Sequence, residues 1–114
     1  MGLKLLLIVL NKVELIDELL EDMAERGVKG ATILKSTGMA RELARIFDEL
    51  PVFGSGRFQI DVEREESRTI FIVLKDEQID WVRQSVKKVI GDISQPDTAV
   101  MFTLPVLSAE GMEL

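Results

Sequence analysis

The densest group of residues that could meet a ligand is Ser36-Thr37-Gly38-Met39-Ala40-Arg41. Small residues at the end of a strand let backbone N–H groups approach a phosphate, and an arginine a few positions later can pair with it. One glycine and one arginine make no fingerprint, so the plainer reading is a tight turn followed by a solvated arginine. Gly54-Ser55-Gly56-Arg57 offers a second nest of backbone donors for an anion, or simply the tip of a flexible loop. Asp61, Glu63, Glu65 and Glu66 supply hard oxygen ligands for Mg²⁺ or Ca²⁺. Arg64 and Arg68 interrupt them and no calcium-loop spacing is present, which suits a solvated strand edge or hairpin better. Trp81, between Asp80 and Val82, fits packing at the edge of a core or subunit contact better than a ligand platform. Met23, Met39 and Met101 read as gap fillers.

The missing residue types narrow the chemistry further. The chain contains no cysteine, no histidine and no tyrosine. Thiolate nucleophiles, disulfides, Cys/His zinc sites and imidazole bases are therefore excluded. Carboxylates, lysines and hydroxyls remain, and no spacing assembles them into a catalytic constellation. The expectation is a protein that is not an enzyme, with no catalytic residues and no metal site. With 14 basic and 20 acidic residues the net charge is −6, which disfavours nucleic acid and anionic membranes as partners.

These residues need elements to position them. The 114 residues suit one domain, 1–114, long enough to bury roughly two-thirds of the unfolded surface. Leu3–Leu10 is apolar apart from Lys4, too short to span a bilayer, and runs into acidic residues without a cleavage site. It reads as a strand covered on both faces, in a cytoplasmic protein with no membrane insertion. Asn11 and Glu14 have capping-box spacing, and Val13, Ile16, Leu19, Leu20 and Met23 follow a helical period as far as Gly27. A second strand is expected within Gly30–Thr37, and a helix over Met39–Leu50 that Pro51 stops. Pro51–Ser67 reads as a long excursion with at most a short strand around Phe58–Val62. Thr69–Leu74 is a second buried strand. Asp76 can cap the next helix, whose stripe of Ile79, Val82, Val86, Val89 and Ile90 ends at Gly91. Thr98–Leu104 is the last strand, closed by Pro105, with Ser108–Leu114 as a tail.

The two halves share one grammar. Ile8-Val9-Leu10 before a helix with Ile16-Asp17 is echoed by Ile72-Val73-Leu74 before a helix with Ile79-Asp80. Two strand–helix–strand units side by side give an α+β, ferredoxin-like βαββαβ fold: a four-stranded antiparallel sheet, two helices on one face, and a long excursion between strands 2 and 3. Two helices cover only one face of a sheet whose middle strands are apolar on both. The excursion could fold over the second face, but a closed symmetric oligomer is the favoured cover.

The segment Gly30-Ala31-Thr32-Ile33-Leu34-Lys35-Ser36-Thr37-Gly38-Met39-Ala40-Arg41 resembles the Gly-x-Thr-x-x-x-x-x-Gly-x-Gly-Arg segment of the PII-type nitrogen regulatory family. The resemblance extends to Ile72-Val73-Leu74 with its acidic helix start. It implies a homotrimeric sensor with an adenine nucleotide, ATP or ADP, between subunits near Thr32, Gly38, Met39 and Arg41. It also implies a loop, here Ala40–Ser67, that docks on a target enzyme or transporter. The chain departs from the family at Ala40, which replaces the second glycine. It departs again at Gln95-Pro96-Asp97-Thr98, where a Gly-Asp-Gly-Lys phosphate loop is expected, and in Pro105–Leu114, which lacks the two usual arginines. Alternatives are a ligand-free interaction scaffold, favoured by the stripe Leu43, Ile46, Phe47 and Leu50, and a CutA-type metal-tolerance protein, disfavoured because methionine is the sole soft ligand.

Overall fold

A computed structural model describes residues 2–48 and 66–112. Strand β1 (Leu3–Leu10) lies between β3 (Ser67–Lys75) and β4 (Ala99–Val106), antiparallel to both, and β2 (Thr32–Ser36) pairs with the far side of β3. The order β2-β3-β1-β4 puts the two most apolar strands in the middle and completes the ferredoxin-like sheet. Side chains alternate across a strand, so Leu6, Ile8 and Leu10 share a face with Ile70, Ile72 and Leu74. All six are buried against α1 (Ile16–Glu25) and α3 (Ile79–Val89), which contribute Leu19, Met23, Val82 and Val86 to the same core.

The helices begin differently from their sequence signals. Neither has a side-chain cap; each is entered through a single 3₁₀ turn, Val13–Leu15 before α1 and Asp76–Gln78 before α3. Asn11 accepts a hydrogen bond from Ser67 Oγ at 2.6 Å and does not cap α1. Asp76 is held by the Gly2 backbone N–H and by Lys4, 2.8 Å away, which pins the start of β1 to the end of β3. In both cases a long-range partner outcompetes the local one. Strand β4 also runs two residues beyond Leu104, through Pro105, which an edge strand tolerates because one side of it needs no ladder hydrogen bond.

As expected, the segment after β2 is helical: α2 spans Met39–Asp48. The strand expected around Phe58–Val62 lies outside the described residues. The chain leaves β2 at Ser36 and re-enters the sheet at Ser67, and these two residues are cross-strand partners. Thr69 Oγ1 donates to Ser36 Oγ at 2.7 Å beside that pair.

The other face of the sheet carries no helix of the pair. Leu5, Leu7 and Val9 of β1 lie opposite Leu104, Phe102 and Val100 of β4, and Leu5 and Leu7 lie opposite Val73 and Phe71 of β3. Val100, Phe102 and Leu104 are 47, 52 and 42% exposed, so this apolar face is only partly covered within the chain.

The two covering helices are locked by one carboxylate. Asp22 on α1, only 8% exposed, accepts from Arg26 Nε at 2.7 Å and from Lys88 Nζ on α3 at 3.0 Å. Arg26 also donates to Gln84 of α3 at 2.8 Å. The Ser85 hydroxyl first, then Arg26 and Lys88, hold the Asp22 carboxyl well below the usual carboxylate range, against the opposing effect of burial. Ser85 Oγ is fully buried and forms no hydrogen bond of full geometry, so the two cations carry the structural contact. A carboxyl held low in the folded state contributes stability above its ordinary value of 3.8 and loses it as pH falls below that. Asp22→Asn should therefore lower the melting temperature at pH 7, and the gap from the parent should narrow as the pH is taken from about 5 to about 3. Thermal melts of both proteins across that range check this; a gap constant down to pH 3 would remove the ion pairs from the account.

Candidate functional site

A hollow of about 340 Å³ opens where the start of β2 meets the end of β3. Its position is set by how α1 stops. Gly27 takes φ +105°, which glycine tolerates, and the chain closes the helix with Gly27 N–H on the Ala24 carbonyl and Val28 N–H on the Met23 carbonyl. Trp81 of α3 lies close against this turn: a Cβ on Gly27 would sit 3.1 Å from its ring. The turn thus delivers Val28–Thr32 to the edge of β3.

The lining has Gly30 and Thr32 from the β2 side and Phe71 and Val73 from β3, together with Gln78 and Met112. Thr32 is the cross-strand partner of Phe71. Gln78 Oε1 accepts the Lys75 backbone N–H at 2.8 Å, which leaves the amide NH₂ as a donor. Among the described residues, Lys29 is the only charged one in the lining. Small residues, a flat ring and a few neutral polar groups suit an uncharged heterocycle better than a polyanion.

The residues singled out in the sequence fall in two places. Thr32 lines the hollow. Gly38, Met39 and Arg41 lie beyond the other end of β2, about 13 Å away at the usual rise per residue, so they do not meet Thr32 in one cluster within one chain. The Gly38 carbonyl accepts the Glu42 N–H at 3.0 Å and starts α2. Met39 is 78% exposed, whereas Arg41 is half-buried and already has a partner. Phe71, Val73, Gln78 and Met112 escaped the sequence reading, because they come from β3, the turn after it and the tail, and only the fold assembles them. Gly30 beside Thr32 was the one local signal.

The loop before β4 shares the Gly38 end of the sheet, on the opposite edge. It is built on its own side chains. Asp92 accepts from the Ser94 N–H at 2.9 Å and the Ser94 hydroxyl at 2.7 Å, with Gln95 farther off at 3.5 Å. The Ser94 hydroxyl chiefly, then its backbone N–H, lowers the Asp92 pKa. Thr98 Oγ1 donates to carbonyls of Ile93 and Gln95 while its own carbonyl receives the N–H groups of Asn11 and Lys12. Gly54-Ser55-Gly56-Arg57 and the carboxylates at 61, 63 and 65 lie outside the described residues. Among those described, no group of three acidic side chains is placed to hold a metal ion, and no helix is long and apolar enough to cross a membrane.

No family model matches the sequence, and no curated protein matches it significantly. Solved structures do match. A protein of unknown function from Pediococcus pentosaceus superimposes with a TM-score of 0.63 at 18% identity, covering 98% of this chain and 99% of that one. PII of Arabidopsis thaliana, bound to citrate, gives 0.62 at 15% identity over 92% of this chain and 78% of that one. CPII, a nitrogen regulatory PII-like protein from Thiomonas intermedia bound to ADP, AMP and bicarbonate, gives 0.55 at 17% identity over 93% and 89%. The fold of this chain is therefore that of PII and PII-like proteins.

Because the α1 stop positions the hollow, Gly27→Ala should cost about 1–3 kcal/mol through the positive φ and the Trp81 contact. A lower melting temperature together with a shifted emission from Trp81, the single tryptophan, checks this. Unchanged melting and emission would show that the turn does not need glycine.

Proposed function

We propose that this PII-like chain is a non-enzymatic regulator that works as a homotrimer. A small effector of the adenine-nucleotide class binds where subunits meet, and the segment following β2 reports its presence to a target enzyme or transporter. The observation that carries the reading is the open face of the sheet. Leu5, Leu7, Val9, Phe71, Val73, Val100, Phe102 and Leu104 form one continuous apolar surface, and burying such a surface against identical copies stabilises an assembly that a lone chain in water lacks.

The nucleotide part is supported by two features. The hollow beside Thr32 has the size and neutral walls of a small-molecule site. CPII from Thiomonas intermedia shares the fold and binds ADP and AMP. Gly38, Met39 and Arg41 stand where β2 gives way to α2, so a ligand that reaches them biases how the chain departs from the sheet. The mechanism is a population shift: the effector stabilises one arrangement of the segment, and the target recognises that arrangement.

A second reading rests on α2 itself. It is a formed helix with Ala44 buried, which also suits a permanent clasp on a ligand-free scaffold.

Light scattering should give three times the 12.8 kDa chain mass for the parent protein and a single chain mass for Phe102→Glu. ADP should raise the melting temperature of the parent with concentration, and less so for Arg41→Ala. A monomeric parent overturns the trimer, and an ADP response equal in Arg41→Ala removes that residue from the site. Melting that ignores every adenine nucleotide leaves the scaffold.

A further inference from the structure

We infer that the outer edge of β4 is a dock for residues 58–63 of a second copy of this chain, which add to the sheet as a further strand. The inference rests on the assembly of copies proposed above and is independent of any ligand. In the order β2-β3-β1-β4, β4 has β1 on one side, and none of the described residues pairs with its other side. An unpaired edge presents a row of backbone N–H and C=O groups that another chain can extend. Pro105 supplies no N–H, so the usable run is Ala99–Leu104, six residues.

The two faces of that edge call for different side chains. Val100, Phe102 and Leu104 lie on the open face and are about half exposed, so a neighbouring strand gains by placing apolar groups beside them. Ala99, Met101 and Thr103 lie opposite Leu10, Ile8 and Leu6 and so share the helix-covered face. On that face a second hollow, of about 540 Å³, opens between β4, α3 and the turn after α3. Val86, Ile93 and Met101 line it together with Arg83 and Lys87, which stand one turn apart on α3. Lys87 makes no ion pair with any described residue, and Arg83 has Asp80 at 3.6 Å on an exposed surface. Asp92, the acidic residue of the lining, already accepts from Ser94. This side therefore favours acidic groups.

The strand that fits alternates, apolar toward the open face and acidic toward α3. The chain carries such a stretch outside the described residues: Phe58-Gln59-Ile60-Asp61-Val62-Glu63. Extended, it puts Phe58, Ile60 and Val62 on one side and Gln59, Asp61 and Glu63 on the other. Its length equals that of the usable edge.

The donor is a different copy. Glu63 and Ser67 are four steps apart in the sequence and span at most about 14 Å. Ser67 begins β3, and a strand outside β4 lies three strand spacings away, about 14 Å in a straight line. That line runs through the ends of β1 and β4 themselves, so the actual path exceeds the tether. Donation from copy to copy is a head-to-tail contact, the kind that closes into a ring.

The chain has no cysteine, so introduced pairs report contact directly. Thr103→Cys is combined in the full chain with Gln59→Cys, Asp61→Cys or Glu63→Cys, treated with a short bis-maleimide and resolved on a denaturing gel beside each single variant. At least one pairing should give a ladder of two- and three-chain products that the single variants lack. In that protein, adding Arg83→Glu and Lys87→Glu should cut the ladder several-fold. Whichever of Asp61→Lys and Glu63→Lys the pairing leaves available should restore part of it. Linking confined to single chains, or no linking while light scattering shows a trimer, overturns the dock and leaves the assembly standing. A ladder indifferent to charge reversal overturns the part given to Arg83 and Lys87. A monomeric parent overturns both dock and assembly.

Discussion

The constraint that governs this molecule is that β1 and β3 are apolar on both faces, whereas α1 and α3 cover only one of them. Leu6, Ile8, Leu10, Ile70, Ile72 and Leu74 are sealed under α1 and α3. Their neighbours in the same strands, Leu5, Leu7, Val9, Phe71 and Val73, point the other way toward a face whose edge residues remain about half exposed. Strands of this composition belong in the interior of something larger than one layer of helices on one sheet.

Much of this was legible in the sequence because hydrophobic pattern and turn chemistry agreed. The bounds of β1 match the apolar run residue for residue, and the echo of Ile8-Val9-Leu10 in Ile72-Val73-Leu74 identifies the two middle strands. What the pattern misjudged was competition. Asn11 and Asp76 look like caps, but a hydroxyl from Ser67 and a lysine from position 4 reach them from far along the chain. Pro105 looks like the end of a strand, yet β4 lies at an edge and continues. The hollow was invisible for a related reason: residues from the α1 stop, from β3 and from the tail become neighbours only after strand order is fixed.

Charge in this protein is used structurally. Asp22 gathers Arg26 and Lys88 and ties α1 to α3, so an acidic residue on an apolar helix face becomes a fastener. Asp92 turns inward on Ser94 and organises its own loop. Fold and ligand chemistry are separable: an architecture shared with PII and PII-like proteins does not by itself fix what a site built on it binds.

Residues 37–66 depart from and return to a single rung of the ladder, Ser36 opposite Ser67, and that rung is tied by Thr69 to one side and Asn11 to the other. The ends of the insert are thus clamped together by the scaffold, whatever lies between. Loop-closure entropy grows so slowly that doubling the insert costs only about 0.6 kcal/mol. The rung acts as a socket: inserts of different length or sequence can be exchanged there over evolutionary time, and new recognition tasks acquired, with the four-stranded layer left unaltered.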